Sequence, residues 1–297
     1  MRINHNIPSL VVQGALYQTS QSLSTSLERL STGLRINSAA DDAAGLGVSE
    51  NLLAQVNGTA QATSNAQDGI SLLNVADGAA NTVSSILQTM RQLAVQSSSD
   101  TLTSTERFYT DSEYQALSQE IDRISQVTNY NNQDLFSTTT GRFGQGSPAT
   151  GSGSVLWIDA NSQIGVDSIT ITIDTLTTGA LGIGTFGVVA GAIGTDVTSQ
   201  TDAVNAISAI DNAINSVNAM RAGIGAYVNR LQDAIDYLNT SNANQQAAES
   251  QIRDVDFASE TSNYTKDQIL MQSATAMLAQ ANSLPSSVLT LLNPIKS

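Results

Sequence analysis

Apolar residues recur at alternating steps of three and four near both ends of this chain, a rhythm that restricts each end to a helix with one oily seam. Towards the C-terminus the seam is Leu270, Ala274, Met277, Ala281, Leu284, Val288 and Leu291. Towards the N-terminus it is Leu16, Leu23, Leu27, Leu30 and Leu34, with one step missing. A lone helix cannot cover such a seam, so each must meet the other or a neighbouring molecule. The two ends are built to be covered, and these seam residues are expected to form the contacts between subunits.

Charge divides the chain in the same way. Residues 1–36 and 256–297 hold five Lys and Arg against four Asp and Glu, whereas residues 37–255 hold seven against 22. A middle that acidic repels polyanions and argues against nucleic acid as a partner. The near-neutral ends suit burial among copies of themselves. Cysteine is absent, which removes disulfides and thiol chemistry, and His5 is the one histidine in the sequence, so an imidazole zinc site is excluded. No cofactor or metal is expected. No run of about 18 apolar residues is present, so no membrane insertion is expected, and the start MRINHNIPSLVVQG lacks the layout of a cleavable signal peptide.

Between the ends the spacing predicts helices. Asp41 and Asp42 sit where acids favour a helix N-terminus, and one long helix is expected from there to about Ser99. Its seam is Leu73, Ala76, Ala80, Val83, Leu87, Met90 and Ala94, although Gly58, Gly69 and Gly78 weaken it. After a polar turn, a second helix carries Tyr114, Leu117, Ile121 and Ile124, with Asn131-Asn132 expected to end it. A third, about 202–239, carries Ile207, Ile210, Ile214, Val217, Arg221, Ile224, Val228, Leu231, Ile235 and Leu238. Arg221 alone is polar there, a charge that snorkels or sets register.

Residues 141–154 are a Gly/Ser/Pro linker. Ile169, Ile171 and Ile173 then alternate with polar residues as in a half-buried strand, with 155–158 as its partner. The expected architecture is mainly α: a long antiparallel rod or coiled coil, its termini paired at one tip, with a small β-rich insertion packed on the helices. The expected divisions are 1–42 with 256–297, 43–139 with 202–255, and 140–201. Seams left open at one end of such a rod make head-to-tail contacts, which give helical filaments when they do not close.

Several runs carry a family resemblance. Residues 27–45 (LERLSTGLRINSAADDAAG), 61–72 (QATSNAQDGISL), 87–96 (LQTMRQLAVQ) and 120–125 (EIDRIS) resemble the N-terminal signature of bacterial flagellin. Residues 250–260 (SQIRDVDFASE), 278–282 (LAQAN) and 288–292 resemble its C-terminal signature. The resemblance implies an extracellular structural subunit, exported unfolded through the flagellar type III apparatus and polymerised into the motility filament. It implies paired terminal helices lining the central channel, and as partners other copies of itself, a cap protein, a hook-associated junction protein and an export chaperone. It also implies that the terminal helices order on assembly. A hook–filament junction protein of the same superfamily is the alternative.

Members of the enteric type present a patch to a Toll-like innate receptor. Leu93 and Glu113 match two of its positions and Arg91 and Gln96 fit the surroundings, but Thr89 stands where the family has an arginine. A small hydroxyl cannot replace that multidentate donor. The metallopeptidase that some flagellins carry in the insert needs His-Glu-x-x-His, and residues 137–201 contain no histidine. No enzymatic activity is expected.

Overall fold

The computed structural model describes residues 6–136, 154–160, 167–183 and 196–292, with side chains to residue 283. His5, much of the linker and most of the Gly/Ala-rich 179–195 stretch lie outside the described residues. The helices are α1 (Ile7–Thr32), α2 (Ala43–Ser97), α3 (Ser104–Val127), α4 (Gln200–Arg253) and α5 (Phe257–Leu292). Four short strands are β1 (Asn129–Tyr130), β2 (Gln133–Asp134), β3 (Ser154–Trp157) and β4 (Ser168–Ile171). The mainly α expectation holds. The chain divides into two compact units, residues 1–56 with 243–297 and residues 57–242. No helix among the described residues is long and apolar enough to cross a membrane.

Within 57–242 the core is a helical seam closed on more than one side. Leu73, Ala76, Ala80, Val83, Leu87, Met90 and Ala94 of α2 are all buried, as their spacing predicts. Helix α4 lies antiparallel to α2. Three side-chain bonds fix the alignment: Arg91 Nε to Asp211 Oδ1 at 2.7 Å, Arg221 Nε to Asp77 Oδ1 at 2.8 Å, and Asn242 Nδ2 to Thr59 Oγ1 at 2.9 Å. In this alignment small residues of α2 (Ala62, Ala66, Gly69) lie level with large ones of α4 (Leu231, Ile235, Leu238). Size complementarity of this kind fills the space between helices without voids.

The α4 seam differs from the sequence reading in its first half. The buried positions are Ala203, Ala206, Ile210, Ala213, Val217, Met220 and Ile224. Ile207 and Ile214 sit half-buried on the shoulder, and Arg221 pairs there with Asp77. Alanine has no bulk to hold the helices apart, so it takes the line of closest approach and the branched side chains flank it. The apolar rhythm alone therefore points one residue too far at 207, 214 and 221, while 210, 217 and 224 are shared.

Helix α3 begins with a reciprocal cap. The Thr103 N–H donates to Glu106 Oε2 at 2.7 Å, and the Glu106 N–H donates back to Thr103 Oγ1 at 3.4 Å. The Thr103 backbone N–H, and after it the Thr103 hydroxyl donating to Oε2 at 2.9 Å, hold the Glu106 carboxyl below the ordinary glutamate range. Tyr114, Ser118, Ile121 and Ser125 form its buried line. The helix ends at Val127, earlier than Asn131-Asn132. Those two asparagines turn the β1–β2 hairpin at φ 50° and 59°, a left-handed pair that asparagine tolerates.

Strands β3 and β4 are antiparallel, with Leu156 opposite Ile169 and Val155 opposite Thr170. Ile169, Ile171, Ile173, Leu176, Leu181 and Ile183 are buried in the same apolar cluster as the helix seams. Burial of each such side chain is worth about 1.5–3 kcal/mol. Two glycines that weaken α2 as a helix make this approach possible. A Cβ on Gly58 would lie 2.6 Å from Ala160 Cβ, and one on Gly69 would run into the Leu156 side chain and lie 3.3 Å from Leu231 Cδ1.

Candidate subunit interface

In the unit formed by 1–56 and 243–297, α1 and α5 pair with each other and leave much of their apolar surface uncovered. Local signals set their ends. The Asn6 side chain accepts from the Ser9 N–H at 3.2 Å, and Gly33, at φ 76°, closes α1 with its N–H on the Arg29 carbonyl at 2.9 Å. Asp256 Oδ1 accepts from the Ala258 N–H at 3.0 Å at the start of α5.

Beyond α1 the chain pairs with the link between α4 and α5. The Val255 N–H donates to Gly33 O at 3.0 Å, and Arg35 donates from its backbone to Arg253 O at 2.6 Å and from Nη2 to Ile252 O at 2.5 Å. Ile36 is buried beneath, and Arg253 Nη1 reaches Glu50 Oε1 at 3.0 Å. Asp42 then caps α2 through the Ala44 and Gly45 N–H groups at 3.1 and 2.9 Å. Asp41 braces the turn before it by accepting from Ser38, whose backbone N–H is the main reason its carboxyl titrates below the ordinary aspartate range.

The pair runs antiparallel. Asn6 Nδ2 donates to Ala281 O at 2.9 Å near one end, and Arg29 Nη1 lies 3.9 Å from Glu260 Oε2 near the other. Along α1 the half-covered apolar positions are Val12, Leu16, Leu23, Leu30 and, just past its end, Leu34, while Ser26 is buried. Along α5 the covered line is Glu260, Tyr264, Asp267, Met271, Ala274, Leu278 and Ala281, a regular alternation of four and three. The stripe read from sequence shares Ala274 and Ala281 with that line. Its other described members lie off it: Leu270 is 44% exposed and Met277 59%, and on α1 Leu27 is 55% exposed. The side chains of Leu284, Val288 and Leu291 lie outside the described residues.

Helix α5 therefore carries two interleaved stripes, one turned to α1 and one turned away. Met271 and Leu278 were legible as the partners of Ala274 and Ala281 at the same heptad spacing, but Leu270 and Met277 fit the rhythm as well. The outward surface also includes Ile7, Leu10, Val11, Tyr17 and Ile269. Sequence reasoning missed the Arg29–Glu260 pair altogether, since neither residue interrupts the apolar rhythm.

The receptor-patch residues lie in the other unit. Glu113 and Gln96 are exposed, Leu93 is buried, and Arg91 is engaged with Asp211. The Thr89 hydroxyl donates to its own helix, to Ser85 O at 3.2 Å.

Comparison with known proteins follows the two helical ends. The bacterial flagellin N-terminal helical region matches residues 3–140, and the bacterial flagellin C-terminal helical region matches residues 207–292. A flagellar filament 33 kDa core protein of Treponema phagedenis is 40% identical over 292 residues, covering 98% of this chain and 100% of its own length. A flagellin of Bacillus subtilis (strain 168) is 40% identical over 310 residues with the same coverage of both chains. Among solved structures, a putative flagellar hook-associated protein from Vibrio parahaemolyticus superposes with a TM-score of 0.55 at 17% identity, covering 72% of this chain and 100% of that one. That likeness concerns the fold alone.

Proposed function

The chain belongs to the bacterial flagellin family, and on that footing we propose that it polymerises into the flagellar filament through the outward faces of α1 and α5. The carrying observation is the set of large apolar side chains that the helix pair leaves exposed: Leu10, Val11, Tyr17, Leu27, Leu270 and Met277. Neighbouring copies cover these faces, with Leu16, Leu23, Leu30, Leu34, Ala274 and Ala281 holding the pair itself together. Leu284, Val288 and Leu291 continue the contact by their spacing.

Helices in proteins owe most of their stability to the packing of an apolar face, and because much of that face is uncovered here, α1 and α5 gain most of their order from assembly, where they surround the central channel. On this reading residues 1–42 with 256–297 form the inner layer, 43–139 with 202–255 the layer around it, and 140–201 the outward insertion. The role is mechanical rather than catalytic. Family membership supports export through the flagellar type III route, an extracellular location and contacts with a cap, a junction protein and a chaperone as parts of the same reading. A contact with a Toll-like receptor through Arg91, Leu93, Gln96 and Glu113 lacks two of its parts, because Thr89 supplies no guanidinium and Leu93 is buried.

Electron microscopy of a chain lacking residues 1–42 and 256–297, mixed with short filament seeds, tests the proposal. The full chain elongates the seeds and the truncated chain does not. Ordinary filaments from the truncated chain would overturn it, and a single terminal layer from the full chain would favour the junction role.

A further inference from the structure

One face of α3 is occupied by polar groups that point at the insertion rather than at another helix. Asp122 and Asp111 are half-buried, eleven positions apart and therefore on the same side of the helix, with Ser118 buried between them. Asp122 Oδ1 accepts from the Thr178 backbone N–H at 2.8 Å, and the buried Thr178 hydroxyl lies 2.8 Å from Asp122 Oδ2. Asp111 Oδ1 accepts from the Val197 N–H at 3.0 Å, and the Val197 carbonyl accepts from Ser97 Oγ of α2 at 3.0 Å.

We propose that Asp122 is a positioning residue that clips residues 172–183 onto α3, with Asp111 holding Val197 to the same face, making 172–183 a fixed wall of this unit rather than a replaceable outgrowth. The segment's composition agrees. Its own Ile173, Leu176, Leu181 and Ile183 are buried, and detaching it would wet all four together with Ile169 and Ile171 of β4. Further bonds tie the same region to the helices: Asn65 Nδ2 donates to Trp157 O at 3.2 Å, and Thr172 Oγ1 lies 3.1 Å from the Tyr227 hydroxyl. A carboxylate that receives both a backbone and a side-chain donor from one residue is a stronger clip than a neutral acceptor.

Limited digestion of the full-length monomer with thermolysin, which cuts before large aliphatic residues, reads the wall directly. Cleavage before Leu176 and Leu181 rises about tenfold in Asp122→Ala, as expected when a local opening loses charge-assisted bonds, while helix content is retained. Asp122→Asn keeps an oxygen for the Thr178 N–H and restores part of the protection. Rates within about twofold of the parent chain in Asp122→Ala would overturn the proposal. If Asp122→Ala unfolds the whole chain, Thr178→Val carries the test, since it removes the hydroxyl alone. Faster cleavage before Leu176 supports the clip and unchanged cleavage overturns it. Because the monomer is assayed, failure here is distinct from failure of the proposed filament contacts.

Discussion

The same apolar rhythm meets two fates in this protein. In residues 57–242 the α2 seam is covered by α4, α3 and the segment around β4, and Leu73, Val83, Leu87 and Met90 are completely buried. In the other unit α1 has α5 and little else. Its rhythm is the same with one step missing, yet Leu27 of that seam and its neighbours Leu10 and Tyr17 remain in the open, and Ser26 is the residue it buries. The difference lies in the number of covering elements, since two helices hide one stripe each and leave the rest exposed. A heptad pattern thus specifies a need for cover; what supplies the cover separates a folded core from an interface.

Substitutions can break that comparison. The largest effect is expected in the closed seam: Leu87→Ala should cost about 2–5 kcal/mol by chemical denaturation, the usual cavity cost. A loss below about 0.5 kcal/mol would mean that the seam is not a sealed core. Next, Leu27→Asp or Met277→Asp should leave the monomer within about 0.5 kcal/mol of the parent. The same change should raise the critical concentration for polymerisation by about a hundredfold, measured by sedimentation, because the new charge is buried between copies. Unaltered polymerisation would remove these side chains from the interface.

The glycines sharpen the contrast within one helix. Gly69→Ala should destabilise by about 1–3 kcal/mol, because the new methyl meets Leu156 and Leu231. Gly78→Ala, where a Cβ meets nothing within 4 Å, should stabilise by about 0.5–1 kcal/mol. Equal melting shifts for the two would contradict the account of the β3 approach. The smallest effect concerns the α3 cap. Glu106 titrates below its ordinary value, so the cap's contribution is complete above that ordinary range and is lost as pH falls through the depressed value. Thr103→Ala should move Glu106 part of the way back up in an NMR titration, the backbone bond remaining; an unmoved value would exclude the hydroxyl as a cause.

Much of the architecture was legible because burial and periodicity agree. The α2 seam is legible residue for residue, and the alternation of Ile169, Ile171 and Ile173 marks the face that is buried. Less legible was which residue of a stripe faces inward when neighbours also fit. Alanine at 203, 206 and 213 packs closest because it is small, a tertiary consequence that hydrophobicity does not rank. Leu270 and Met277 looked like seam positions because α5 has two stripes for two kinds of partner. Gly58 and Gly69 read as defects of a helix until the insertion that passes over them was in place. The clip from Asp122 to Thr178 joins residues far apart in sequence and has no local signal.

Hydrogen exchange of the backbone amides in monomer and filament tests the central claim most directly. Amides of α1 and α5 should exchange at least about a hundredfold faster than those of residues 73–94 in the monomer, and slow to a comparable rate in the filament. Terminal helices already as protected in the monomer as the α2 seam, and unchanged by polymerisation, would contradict it.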